Sequence, residues 1–179
     1  MKPVSVAFLS VLLASTSWAQ ENVVEPEFAD VFFRLDAGKL IPLERQTAVI
    51  QGKASGFIVM TMKSASEFPG AKSPVRFTSD RPLEFVVRTL LASSSVDPTT
   101  LYVLRRLGTK KKSRELIIMS GRASPLGAST NSPLAQGVLP VEFSRYGTSS
   151  LKMTTAALQP GEYAVSRQYG QTVFCFGVE

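Results

Sequence analysis

Few residues of this chain could support catalysis. It contains no histidine and a single cysteine, Cys175. Serine–histidine and cysteine–histidine nucleophiles and imidazole metal sites are therefore excluded, and one thiolate does not build a zinc site. Ser149 and Lys152 have the Ser-x-x-Lys spacing in which a lysine activates a serine, but they fall in a predicted strand rather than at a helix start. The sequence thus predicts a protein that is not an enzyme and that holds neither a metal nor another cofactor.

The single cysteine lies in an apolar run, Thr172 to Val178. A free cysteine in such a run is most often a buried small hydrophobic residue. An intermolecular disulfide or a reactive thiol is the alternative, but the run contains no histidine or basic residue to lower the thiol pKa. We therefore interpret Cys175 as part of the core.

Basic residues are concentrated around one predicted hairpin turn. Six of ten consecutive residues are positively charged: Arg105, Arg106, Lys110, Lys111, Lys112 and Arg114. On a two-stranded hairpin, Arg106 and Arg114 are expected to face the same side as the lysines. Such a patch would bind the phosphates of lipopolysaccharide, anionic lipid headgroups or an acidic polysaccharide. The alternative interpretation is a solubilising hairpin whose lysines prevent edge pairing.

The N-terminal residues have the composition of a secretory signal. Lys2 precedes a short apolar run, Val4 to Ala14, and small residues occupy positions 17 and 19. The pattern predicts cleavage after Ala19, and the run is too short to span a bilayer as a helix. We therefore expect a single domain, residues 20–179, exported to the periplasm or beyond, with no transmembrane segment. Nucleic acid is not an expected partner, because the chain is exported and only Tyr102 lies near the basic cluster for base stacking.

Short apolar runs alternate with residues typical of turns along the rest of the chain. About ten strands are predicted, with no helix of any length, so the expected fold class is all-β. One strand is placed over Gln46 to Gln51 and the next over Gly56 to Met62, with a turn at Gly52 to Ser55. Gly121 to Gly137 is rich in Ser, Ala, Gly and Pro. It is predicted to be a long loop that connects strands or binds a ligand.

The segment before the penultimate predicted strand carries a fold-level motif. It comprises Leu158, Pro160, Gly161 and Tyr163. These residues resemble the tyrosine corner of immunoglobulin-like and fibronectin type III domains, in which the tyrosine hydroxyl bonds to the backbone a few residues upstream. The resemblance implies an immunoglobulin-like β-sandwich with additional N-terminal strands, although the cysteine pair of antibody domains is missing. The whole chain also resembles exported bacterial proteins built on such sandwiches, a likeness that implies no activity.

Three functions are compatible with these features. The first is an exported, non-enzymatic binding or protein-interaction module whose partner is an unknown protein, an anionic envelope surface or a glycan. The second is a structural or assembly subunit that pairs its sheet edges, because Val31 to Phe33 and Val173 to Val178 are apolar on both faces. The third is a glycan-active enzyme that uses two carboxylates. The candidate carboxylates are Glu84, Asp97, Glu115, Glu142 and Glu162, and no spacing favours any two of them.

Overall fold

The computed structural model describes residues 23–92, 94–131, 137–168 and 170–179. Within these residues the chain forms fifteen β-strands and one short 3-10 helix, Pro98–Thr100. The strands are β1 (Phe32–Asp36), β2 (Lys39–Pro42), β3 (Glu44–Thr47), β4 (Ile50–Ser55), β5 (Met60–Pro69), β6 (Arg76–Phe77), β7 (Pro82–Arg88), β8 (Tyr102–Thr109), β9 (Ser113–Ser124), β10 (Gly127–Asn131), β11 (Val138–Leu139), β12 (Val141–Tyr146), β13 (Ser150–Ala157), β14 (Gly161–Arg167) and β15 (Thr172–Val178). The all-β prediction is confirmed, and the predicted signal, residues 1–19, lies outside the described residues.

The strands form two sheets, in which neighbouring strands are antiparallel except for the short parallel pair of β6 with β15. The smaller, which we call the front sheet, has the order β12-β13-β7-β1-β2. The larger has the order β3-β15-β14-β8-β9-β5-β4, with β6, β10 and β11 paired at the side of β15, β9 and β8 respectively. We call its first four strands, β3, β15, β14 and β8, the middle sheet. We call its remaining strands, β9, β5 and β4 together with β10, the outer ribbon.

The main core lies between the front and middle sheets. The apolar positions of β7 alternate as predicted, so Leu83, Phe85 and Val87 are all buried in it. Aromatic rings from the two sheets meet at the centre, where the ring centroids of Phe85 and Phe176 are 5.0 Å apart. Tyr163 stacks on the same Phe176 ring at 5.6 Å. Aromatic packing of this kind contributes to the apolar burial that holds the two sheets together.

The larger sheet curls, so that the outer ribbon covers the far face of the middle sheet. A second apolar cluster fills this interface and comprises Phe68, Leu107, Ala164, Val173 and Cys175. Strand β15 therefore buries Phe174 and Phe176 against the front sheet and Val173 and Cys175 under the ribbon. Because both faces of this strand are covered, apolar side chains occupy both of them.

The chain between residues 44 and 62 differs from the sequence prediction. The strand predicted over Gln46 to Gln51 is wrong, because β3 ends at Thr47 on β15 and β4 begins at Ile50 on β5. The turn predicted at Gly52 is also wrong, because β4 continues through it to Ser55. The turn begins instead at Gly56, whose φ of +107° and close approach to the next turn residues require a glycine.

The prediction of a long loop over Gly121 to Gly137 is also wrong over residues 121–131. Strand β9 continues to Ser124, turns at residues 125 and 126, and returns as β10 through Asn131. Small polar residues are weak strand formers, but here β9 is paired by β5 on one side and β10 on the other. Pairing on both sides outweighs the local preference. Residues 132–136 lie outside the described residues.

Candidate functional site

The structure separates the six basic residues of the predicted patch. Strands β8 and β9 form the expected hairpin, with the Lys110 amide donating to the Ser113 carbonyl at 2.7 Å. Arg105 on β8 and Arg114 on β9 both point into the interface between the middle sheet and the outer ribbon and are 5% and 0% exposed. Arg106 points to the opposite face, since successive residues of a strand alternate. The two arginines expected to face one side, Arg106 and Arg114, therefore lie on opposite faces of the hairpin.

Arg114 is held entirely within the protein. Its two terminal nitrogens donate to the Glu44 carboxylate at 2.7 and 2.8 Å. Nε donates to the Gly70 carbonyl at 3.1 Å, and Nη2 donates also to the Pro69 carbonyl at 2.8 Å. The Glu162 carboxylate lies 3.8 Å from Nη1. A guanidinium paired in this way joins the ribbon to β3 and is not presented to an external anion.

A buried carboxylate extends this charge cluster. Glu162 is 4% exposed and accepts a hydrogen bond from the Ser73 amide at 2.8 Å. It also forms an ion pair with Arg76. Gly177 lies beside this pair, where a side chain would overlap the Arg76 guanidinium. The cluster thus fixes the segment 70–76 to β14 of the middle sheet and to β9 of the outer ribbon, and its role is structural.

The lysines of the hairpin turn have two different environments. Lys110 lies 2.7 Å from Glu115 and 3.3 Å from Glu67, so its charge is balanced by two carboxylates. Lys111 and Lys112 are exposed and form no ion pair with the described part of the chain. Anion binding at this turn stays a prediction, and it now depends mainly on Lys111 and Lys112.

The tyrosine motif lies at the edge of the main core. Tyr163 is buried, and its hydroxyl donates to the Gln159 carbonyl, four residues upstream, at 2.5 Å. Leu158 is buried in the core beside it. The Arg106 guanidinium lies 6.0 Å from the centre of the Tyr163 ring and donates to the Pro160 carbonyl at 3.0 Å. Arg106 therefore lies over this corner while its side chain stays exposed to solvent.

The Ser-x-x-Lys segment does not form a nucleophile and base. Ser149 and Ser150 donate from their hydroxyls to Glu25 at 2.9 and 2.6 Å. Lys152 instead pairs with Glu84 at 2.8 Å. Burial alone would raise the pKa of Glu25, but hydrogen bonds from Ser150 and from the backbone and hydroxyl groups of residues 148 and 149 outweigh it and lower that pKa to about 2. These serines anchor the N-terminal segment.

Cys175 is buried under the outer ribbon. Burial raises the pKa of its thiol to about 12, although the nearby Arg114 guanidinium acts in the opposite direction. The sequence showed no basic residue near this cysteine because Arg114 reaches it from a different strand. A thiol with so high a pKa is protonated and unreactive at neutral pH, so the residue serves as core.

The far end of the outer ribbon was not recognised from the sequence. Met60 pairs with Ala123, so the β4–β5 turn and the β9–β10 turn lie side by side at the same end of the ribbon. Both turns carry large apolar side chains, and Phe57 and Leu126 are fully exposed. We call the exposed apolar residues of this end the apolar tip: Phe57, Ile58, Met60, Met62, Met119 and Leu126. The sequence predicts a strand from Gly56 to Met62, and this is wrong for residues 56–59, which form the turn before β5 begins at Met60.

The charged residues on the two chain segments that carry the apolar tip are all basic, and one of them, Lys63, is paired with Glu115 at 2.6 Å. Residues 52–64 and 119–131 contain Lys53, Lys63 and Arg122 and no aspartate or glutamate. Exposed apolar side chains scattered singly are normal, but six at one end of a ribbon form a patch of the kind that marks an interaction site. The combination of apolar and cationic groups favours a partner that is apolar and anionic.

Comparisons with known proteins add no assignment. No protein-family model matches the chain, and no curated protein matches it in sequence. Among residues 23–92, 94–131, 137–168 and 170–179, no helix has the length and hydrophobicity to cross a bilayer. The same residues contain no group of three or more acidic or cysteine side chains placed to share a metal ion.

Proposed function

We propose that this protein is an exported, non-enzymatic binding module that attaches to an anionic lipid surface through its apolar tip. The observation that carries the proposal is the pair of adjacent turns that expose Phe57, Ile58 and Leu126 on chain segments, 52–64 and 119–131, whose charged residues are all basic. Amphipathic elements with apolar residues at the end and Lys or Arg beside them enter the headgroup region of anionic membranes. The tip has both features on a preformed ribbon.

The expected energies are sufficient for reversible attachment. Full burial of a Phe, Ile or Leu side chain is favourable by about 1.5–3 kcal/mol each. Each Lys or Arg near an anionic surface contributes about 1 kcal/mol, so Lys53 and Arg122 add to the favourable free energy of apolar burial, whereas Lys63 is already paired with Glu115. Because the hairpins are already formed, little conformational entropy is lost when they enter the interface.

The type of sandwich that we propose for this chain is consistent with binding through the apolar tip. We propose an immunoglobulin-like sandwich with additional N-terminal strands, supported by the two facing sheets and the hydrogen bond from Tyr163 to Gln159. Sandwiches of this class commonly place their binding residues in loops and turns at one end. Export is supported by the composition of residues 1–19. The outer ribbon would extend such a sandwich beyond its core.

The test is flotation of the chain lacking residues 1–19 with phosphatidylglycerol vesicles, beside phosphatidylcholine vesicles. We expect binding to the anionic vesicles, and a loss of about 10-fold or more in Phe57→Ser, since ~1.5–3 kcal/mol of burial is removed. The double variant K53Q/R122Q should bind more weakly, and salt should weaken binding of the wild type because the screening length falls from about 10 Å at 0.1 M to 3 Å at 1 M.

The matched control is the double variant K111Q/K112Q. It removes two exposed cations from the turn at the opposite end of strand β9, so it should float as the wild type does. If this variant loses binding while Phe57→Ser keeps it, the lipid contact lies at the basic turn rather than at the apolar tip. If the wild-type protein fails to float with either vesicle, the proposal is wrong.

Assembly through a sheet edge is the second candidate. Strand β4 ends the larger sheet, and all six of its residues, Ile50–Ser55, are exposed. An exposed edge strand presents unpaired backbone groups to which another strand can add. Sedimentation equilibrium without lipid tests this candidate. Concentration-dependent self-association would support it, and a monomer at the highest attainable concentration would contradict it.

A further inference from the structure

A cleft opens where the outer ribbon separates from the middle sheet. Strands β8 and β9 pair at only two positions, Gly108 with Glu115 and Thr109 with Arg114. Beyond these positions β8 pairs with β11 and β9 pairs with β10, so the two layers diverge. The space between them has a volume of about 310 Å³. This is within the range of small-ligand pockets, at its lower end.

The walls of the cleft are mostly apolar. Leu116 and Ile118 line it from the ribbon, and Val173 lines it from the middle sheet. Leu116 and Val173 also contact or belong to the second apolar cluster, so the closed end of the cleft is continuous with packed core. An aliphatic chain in this space would replace water against apolar surface on both sides, which is favourable.

Three buried polar residues, Ser66, Arg105 and Ser166, also line the cleft, and Gln168 and Gln171 lie at it as well. Arg105 is 5% exposed and carries a permanent positive charge. Ser66 is 1% exposed, and its hydroxyl has no hydrogen-bond partner among the residues that the structure describes. Buried hydroxyls in native proteins nearly always have a partner, so a buried hydroxyl lining a cleft points to a ligand atom.

We infer that this cleft binds a short aliphatic carboxylate. Arg105 supplies the charged group that attracts the carboxylate, Ser66 supplies a hydrogen-bond donor, and Leu116, Ile118 and Val173 contact the chain. At ~30 Å³ for each water-sized group, the cleft has room for about ten non-hydrogen atoms, the size of octanoate. A charge-assisted hydrogen bond in a partly desolvated site is stronger than one in water, which favours the acid over an alcohol of equal length.

The site is independent of the proposed attachment to lipid. We call the end of the outer ribbon that contains Phe68 and Arg114, where β9 pairs with β8, its root. The cleft lies at the root, whereas the apolar tip lies at the far end of the ribbon, and the two share no residue. Phe57→Ser should therefore bind octanoate as the wild type does, and a protein that fails to bind vesicles can still bind octanoate. Failure of one proposal does not affect the other.

The experiment is isothermal titration of the folded wild-type protein with octanoate, octanol and acetate. We expect saturable binding of octanoate, at least about tenfold weaker binding of octanol because the charge-assisted bond is missing, and at least about tenfold weaker binding of acetate because the chain is missing. Equal affinity for octanoate and octanol would overturn the role of Arg105, and absence of any octanoate binding would overturn the site.

Three variants locate the ligand. Ile118→Trp fills the cleft and should abolish octanoate binding, and Ser66→Ala should weaken it by about 2- to 10-fold, the worth of one hydrogen bond. Arg105→Gln should weaken it at least about tenfold. Should Arg105→Gln fail to fold, the octanoate and octanol comparison on the wild type still decides the role of the charge. Unchanged octanoate affinity in folded Ile118→Trp would place the ligand elsewhere and overturn the proposal.

Discussion

The two ends of the outer ribbon are built from the same strands and have opposite environments. At the root, Phe68 is fully buried and Arg114 is fully buried and paired. At the far end, Phe57 is fully exposed and Arg122 is exposed with no acidic residue within residues 119–131. Each end therefore carries a phenylalanine and an arginine. These residues are buried at the root because the middle sheet covers them, and they are exposed at the far end because it does not. One end holds the ribbon to the protein, and the other is left to contact something else.

The largest effect is expected when the charge at the root is removed. Arg114→Ala leaves the partly buried Glu44 carboxylate without its cation, leaves the buried Glu162 carboxylate with Arg76 alone, and leaves a cavity as well. Breaking a buried ion pair by removing one partner lowers the free energy of unfolding by about 3–5 kcal/mol. Urea denaturation at pH 7 measures this change.

The matched control removes an arginine from the other end of the same strand. Arg122→Ala deletes an exposed guanidinium at the far end of β9 and should change the free energy of unfolding by less than about 0.5 kcal/mol. Equal destabilisation by the two substitutions would contradict the division of the ribbon into a structural root and a free end.

Local pattern was sufficient to predict the strands of the main core. In β7, the alternation of Leu83, Phe85 and Val87 predicts one buried face, and the structure buries all three. The Pro160–Gly161 turn likewise predicts the start of β14. In these segments the residues that decide the structure are adjacent in sequence, so period-2 alternation and turn chemistry carry the information.

The environment of the ribbon could not be predicted in the same way. Arg105 and Arg114 belong to a basic run that is typical of an exposed turn, yet a layer formed by distant residues covers them. The carboxylate that pairs with Arg114 is Glu44, 70 residues earlier. At the other end, the apolar residues after Gly56 are typical of a core strand, and only the register of β4 on β5 places them in a free turn. Both errors concern which surface is covered, and that depends on non-local pairing.

Acid should loosen the root through Glu44. Burial alone would raise the pKa of this carboxyl, but hydrogen bonds from Arg114, Ser73 and Gln46 outweigh it and hold the pKa below its ordinary value of 4.5. A lowered pKa in the folded state stabilises the fold fully above pH 4.5, and this contribution is lost as the pH falls through the folded-state value. The free energy of unfolding should therefore decline below pH 4.5.

The variant Glu44→Gln tests the source of this decline. It should be less stable than the wild type at pH 7 and should lose less on acidification, so that the two stability curves converge at low pH. Urea titrations at several pH values between 7 and 2 measure the curves. Glu25→Gln is the comparison away from the ribbon. The difference in free energy of unfolding between the wild type and this variant should shrink as the pH falls towards 2, since the pKa of Glu25 is lowered to about 2. Parallel curves for the wild type and Glu44→Gln would show that this carboxyl is not held in the charged state.

The smallest effect on stability is expected at the apolar tip. Phe57→Ser and Leu126→Ser remove side chains that are fully exposed, so each should change the free energy of unfolding by less than about 0.5 kcal/mol. Phe68→Ala, in the same hairpin but fully buried, should lower it by about 3–5 kcal/mol. Urea denaturation of the three variants measures the contrast. A tip variant as unstable as Phe68→Ala would mean that the turns pack within the protein. A tip variant of wild-type stability that no longer floats with anionic vesicles would assign Phe57 to recognition alone, because the fold would be intact while the contact was lost.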